Sequence, residues 1–135
     1  MIKEVHIVVY ECGSYDDFSS KNIAVYTDRQ RAEDFCSFKN EAIQLVEQFS
    51  EQIPINEALS DSEFPSEQDK IDTWIEESQI LFEKRTKYNL EQMQILVEKS
   101  SCSKEMKEEI LKLFENEWGY LNSNKYSVQT LSITE

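Results

Sequence analysis

The chain has 135 residues, 39% hydrophobic and 11% aromatic, a composition that suits one packed globular domain and not a disordered chain. It carries 27 Asp plus Glu against 14 Lys plus Arg, a formal net charge of −13, which argues against direct binding to nucleic acid or to an anionic membrane, since both need clustered cations. No apolar run approaches the roughly 18 residues of a membrane span, the N-terminus lacks the pattern of a signal peptide, and Cys12, Cys36 and Cys102 are too few and too far apart for a disulfide framework, so the expected location is cytoplasmic.

Val5–Tyr10 is almost continuously apolar and rich in β-branched residues, which predicts a strand near 4–11. Gly13-Ser14-Tyr15-Asp16-Asp17 is turn chemistry, and Ile23–Tyr26 supplies a second strand near 22–27. The short connection makes the pair an antiparallel hairpin. Thr27, with Gln30 three residues on, reads as a capping box for a helix over 28–52. Its apolar positions, among them Ala32, Phe35, Cys36, Ala42, Ile43 and Val46, cover about half the circumference, as on a helix lying against a sheet. Lys39 falls inside that arc and is expected to snorkel to its edge.

Ile53-Pro54-Ile55 ends this helix. A loop follows, with one helical turn at Asn56–Leu59, and Ser66 is the expected cap of a helix over 66–99. Such a helix is on the order of 50 Å long, so it either bends near Lys84–Asn89 or overhangs the sheet. Ser103 caps a third helix over 103–121, and the short connection predicts an antiparallel helical hairpin. Tyr126–Ile133 reads as a third strand near 126–133. Tyr126 and Val128 share one face and Leu131 and Ile133 the other, which predicts a bulge near Gln129-Thr130. The predicted fold is α+β: a single domain, 1–135, with a three-stranded antiparallel sheet, a covering helix, and an acidic loop plus helical hairpin (53–121) inserted between strands two and three.

Signatures of catalysis are missing from the sequence. His6 is the only histidine and sits in an apolar strand, where a packed or hydrogen-bonded role outweighs that of a general base. The cysteines lack zinc-ligand spacing, and two isolated glycines, Gly13 and Gly119, exclude glycine-rich phosphate loops. No catalytic residue, metal or cofactor is predicted. Asp16-Asp17 is read as an Asx turn before a cation site.

The acidic charge is concentrated. Residues 51–83 hold ten acids and one base, Lys70. Glu67, Asp69 and Asp72 suit the first turns of a helix, where the macrodipole favours anions. That account does not extend to Glu57, Asp61 and Glu63 in the loop, nor to Glu76, Glu77 and Glu83. These nine carboxylates are the candidate partner-binding residues, able to dock on a cationic groove that normally holds nucleic acid. Trp74 lies among them, a candidate anchor, although its register with Ile71 and Ile75 favours a core position.

Val5–Val9, the Gly13–Asp17 turn, Ile23–Tyr26, Thr27-Asp28 and then Ala32, Phe35 and Cys36 together resemble the opening of an uncharacterised family of small phage and bacterial proteins. The likeness covers about 35 residues, with Tyr126–Ile133 as a possible closing strand. It implies a strand–turn–strand–helix scaffold and carries no activity with it. Together with the acidic segment it sets the leading expectation: a non-enzymatic inhibitor from a phage or mobile element that blocks a basic host nucleic-acid-handling or defence protein such as a nuclease, in the manner of anti-CRISPR, anti-restriction or toxin-immunity proteins. Two alternatives stand beside it. One is a ligand sensor or enzyme with a cleft at His6, Tyr10, Tyr15, Asp16 and Asp17. The other is a module that forms a homodimer through its long helices.

Overall fold

The computed structural model describes residues 2–12, 19–117 and 125–134. The predicted turn at Gly13–Asp17, the predicted end of the third helix from Trp118 to Leu121, and residues 122–124 lie outside these. In chain order the elements are β1 (Ile2–Cys12), β2 (Ser19–Tyr26), α1 (Arg29–Glu51), α2 (Ile71–Lys99), α3 (Lys104–Glu117) and β3 (Lys125–Thr134), with short 3-10 turns at Glu57–Leu59 and Gln68–Lys70. The fold is α+β with one antiparallel sheet, as the sequence predicts. The chain divides into two compact units, Met1–Gln48 with Ser101–Glu135, and Phe49–Ser100.

In the first unit the strand order is β2-β1-β3, so the β-branched run of β1 is central. His6, Val8 and Tyr10 share one face with Tyr26, Ala24, Tyr126, Val128 and Thr130, as the pairings His6–Tyr26, Val8–Ala24, Val8–Val128, Tyr10–Tyr126 and His6–Thr130 require. Val8, Ala32 and Cys36 form the buried centre beneath α1, with Ala24, Tyr26, Phe35, Tyr126 and Val128 packed against it. The Phe35 ring lies 6.3 Å from that of Tyr26 and 6.1 Å, edge-on, from that of Tyr126. His6 is buried, and its Nδ1 is 2.9 Å from the Thr130 hydroxyl, the packed and hydrogen-bonded role expected of it.

The opposite face of the sheet is closed at Val9, which is only 3% exposed, and open toward its margins. Val25, Leu131 and Ile133 stand on it, and each is about half exposed or more. This corrects the predicted bulge at Gln129-Thr130. β3 pairs with β1 without a shift from Glu11–Lys125 to Ile2–Thr134. The apolar phase changes because the outer half of the strand places Leu131 and Ile133 on the open margin of that face. The one irregularity lies between Val8 and Val9 against β2, where Ile23 is the extra residue.

One cap assignment here also shifts. Asp28, not Thr27, opens α1: its carboxylate accepts from the Gln30 N–H at 2.9 Å, and its carbonyl accepts from the Ala32 N–H at 3.3 Å. The Gln30 side chain reaches forward to Asp34, and not back as in a capping box. In α3 the Ser103 hydroxyl accepts from the Met106 N–H at 3.1 Å, the predicted cap. Lys39 does not snorkel outward. Its Nζ is 2.6 Å from the Glu109 carboxylate of α3, with both side chains largely buried.

Asn40, one residue on, donates from its amide nitrogen to the Tyr126 carbonyl and accepts from the Tyr126 N–H, each at 2.9 Å. A side-chain amide has the same donor–acceptor pair as a peptide group, so it ties α1 to the edge of β3 as a strand would. Asn40→Ala removes both bonds and is expected to cost about 1–2 kcal/mol, read as a lower urea midpoint with unchanged slope.

The second unit is built on α2, one uninterrupted helix of 29 residues. It begins at Ile71, after the 3-10 turn Gln68–Lys70 and later than the predicted Ser66 start. Glu67 precedes that turn without a side-chain cap bond. The helical turn expected at Asn56–Leu59 is present, and the Asn56 side chain caps it. The Tyr88 hydroxyl donates to the Pro54 carbonyl at 2.9 Å and anchors the loop on the helix. In α2 only Met93 and Val97 are buried, and both lie in its C-terminal third.

Candidate functional site

The nine predicted carboxylates all lie in the second unit, and all are exposed. Pro54 releases the chain into the 54–66 loop, which returns along α2 held by Tyr88 and Trp74. The Trp74 indole N–H donates to the Ser62 carbonyl at 3.1 Å, and the Phe64 ring packs edge-on against the indole at 5.1 Å. Asp61 reaches Arg85 at 3.4 Å. Between loop and helix lies an open groove of about 480 Å³, with Trp74, Ile75, Ser78, Phe82 and Arg85 on the helix side, and Asp61 on the loop side. Gln79 and Glu83 complete its rim.

Helical spacing builds this groove. Trp74, Ser78 and Phe82 succeed one another at four-residue steps, and Ile75 and Phe82 lie seven apart, so one face carries them all. That face is bare, with Ile75 43% and Phe82 63% exposed. Asp72, Glu76 and Glu83 run along the flank of the same helix. Of the nine acids, then, Asp61 and Glu83 line the groove, while Glu57, Glu63, Glu67, Asp69, Asp72, Glu76 and Glu77 do not. Glu67 pairs with Lys70 at 3.1 Å. Trp74 is neither the core residue that its register favoured nor fully exposed: it is half-buried, and the loop holds it in place. Phe64 and Phe82 were not singled out from the sequence. An aromatic in a polar loop, ten residues after the proline that ends α1, was the signal available for Phe64.

The alternative cleft is placed only in part. Tyr15, Asp16 and Asp17 lie outside the described residues. His6 is filled in beneath α1, and the Tyr10 ring stacks on that of Tyr126 at 4.6 Å, so this described portion is packed sheet. Cys36 is likewise buried, and burial, then the Glu33 carboxylate, raises its pKa from the ordinary 9.0. A thiol so held is a poor nucleophile. Alkylation of the native chain at about pH 8 is expected to spare Cys36 and to reach it once the chain is unfolded, as peptide mass mapping would show. Because the folded thiol keeps its proton above the ordinary value of 9.0, its contribution to stability is present below that pH and is lost as pH rises past it.

Among the described residues no group of three His, Cys, Asp or Glu is placed to hold a metal ion, and no helix is long and apolar enough to cross a membrane. Comparison with protein-family models, with curated proteins and with solved structures returns no match.

Proposed function

We propose that this chain is a cytoplasmic, non-enzymatic binding protein whose acidic second unit docks on the cationic surface of a host protein that handles nucleic acid, as an inhibitor from a phage or mobile element does, or as an immunity protein does against a basic toxin. The observation that carries this reading is the exposure of all nine carboxylates on the unit that also holds an open aromatic groove, two of them, Asp61 and Glu83, on its lining. Charge of one sign on a surface steers a basic partner and selects against acidic ones. Two groove aromatics, the half-buried Trp74 and the exposed Phe82, supply the apolar anchor that charge alone lacks. Nuclease and nucleic-acid-binding surfaces are the chemistry such a patch complements, since they hold rows of cations for phosphate.

The test is capture from host lysate at low and high salt, with a variant carrying Asp61→Asn, Glu76→Gln, Glu77→Gln and Glu83→Gln as comparison. A basic nucleic-acid-handling protein is expected at low salt, weakened roughly tenfold or more by neutralisation and by salt. Recovery of no basic partner, or equal recovery by the neutralised variant, would sink the proposal.

A further inference from the structure

We propose that the outer edge of β3 joins two copies of this chain into one continuous sheet, antiparallel across a twofold axis at Leu131. β3 is an edge strand, paired on one side with β1 throughout its length. In an antiparallel ladder each residue directs its N–H and C=O to the same side, and the side alternates along the strand. Asn40 holds both the N–H and the C=O of Tyr126, so Tyr126 points away from β1. By alternation Val128, Thr130, Ser132 and Thr134 point outward as well. The close approach of the Tyr10 and Tyr126 rings, 4.6 Å, agrees with a pair that does not share ladder bonds. Asn40 thus closes the edge at Tyr126 alone. No described residue pairs with the outward backbone groups of the next four.

Edge strands in monomeric proteins are blunted by charges, proline or bulges. Tyr126–Thr134 reads YSVQTLSIT, without charge or proline in a chain that is 30% charged, and its register has no bulge. Residues 129–134 are exposed on both faces.

The occupant this edge fits is its own copy. Copies that each carry −13 oppose contact through their acidic surfaces, but this strand brings no charge to the contact. The four open residues are symmetric about Leu131. Antiparallel pairing there matches Val128 with the partner's Thr134 and Thr130 with the partner's Ser132, and uses every open group. It lays Leu131, 51% exposed, against the partner's Leu131. A twofold at Thr130 would require Tyr126, which Asn40 already occupies. Pairing of this length buries less than the ~800 Å² per partner of a standard interface, so the dimer forms reversibly with concentration.

Sedimentation of the full chain is expected to pass from monomer toward dimer as its concentration rises to ~0.1 mM. Ser132→Pro deletes an outward N–H and leaves the β1 ladder intact, a placement that edge strands tolerate. It is expected to remain monomeric with an unchanged far-ultraviolet dichroism spectrum. Leu131→Cys is expected to cross-link to its copy under mild oxidation. Directly opposed residues of this kind lie about 4.5 Å apart, within disulfide reach, and the parent chain with its own cysteines is expected not to link. A parent chain that stays monomeric overturns the proposal. So does a dimer that persists in Ser132→Pro, which would move the contact to the helices. Should that variant fail to fold, the Leu131→Cys cross-link decides, and its absence counts against the axis.

Discussion

Replacing Lys39 with Met is expected to destabilise the chain by about 2–3 kcal/mol. Lys39 and Glu109 meet at 2.6 Å with side chains only 18% and 12% exposed, on helices 70 residues apart in sequence. Each charge has given up most of its water, and the pair holds because each is the other's solvation. Removing the cation leaves the Glu109 carboxylate in the same place without it. The cost lies below the roughly 3–5 kcal/mol of a fully buried pair because some water still reaches both groups. For a chain of this size that corresponds to a melting temperature lower by roughly 6–12 °C. Glu109→Gln is expected to cost less. Lys39 then keeps the Phe35 ring 5.5 Å from its Nζ, and the amide oxygen remains an acceptor. The double variant Lys39→Met with Glu109→Leu should recover most of the loss, since two apolar groups of similar volume need no solvation. A Lys39→Met loss under about 0.5 kcal/mol would show that water already solvates the pair.

Ile110→Ala is expected to be the most damaging single truncation in the first unit, at about 2–5 kcal/mol. Ile110 is fully inaccessible and lies on α3 with Met106, Leu113 and Phe114 on the same buried stripe. Truncation removes its transfer energy and leaves a cavity that a short helix fixed by Lys39–Glu109 relaxes into only partly. Ile110→Val should cost about 0.5–1.5 kcal/mol, and that ratio separates cavity formation from a change in helix propensity. Phe82→Ala is the informative contrast. Its side chain is 63% exposed, so stability should change by less than about 0.5 kcal/mol, while capture of a basic partner should weaken. Equal effects of Phe82→Ala on both readouts would remove the aromatic groove from the binding surface.

The elements were legible in the sequence because their causes are local. A β-branched run makes β1, a proline ends α1, and Ser103 caps α3. What was not legible depends on partners distant in the chain. Lys39 sits in an apolar arc, and only the fold brings Glu109 to it. Asn40 looks like an ordinary helix-surface residue until β3 passes beside it. Tyr126/Val128 and Leu131/Ile133 imply a bulge on β3 only if both apolar sets are covered, whereas Leu131 and Ile133 are about half exposed. Exposure of the nine acids followed from their positions in the loop and on helical flanks. The groove did not, because Trp74 in register with Ile71 looks like core unless the loop carrying Ser62 and Phe64 is seen to reach only its indole edge.

The central place of β1 also sets a timetable for folding. One of its neighbours is a few residues away, and the other arrives more than a hundred residues later, as the His6–Thr130 bond with its separation of 124 makes plain. Closing a chain segment of that length costs about 4 kcal/mol in loop entropy. During synthesis the helices and the β1–β2 hairpin can form early, but β1 waits with one edge bare until residues 125–134 emerge. Refolding is therefore expected in milliseconds to seconds, set by that late strand, and not in the microseconds that so helical a chain would otherwise suggest.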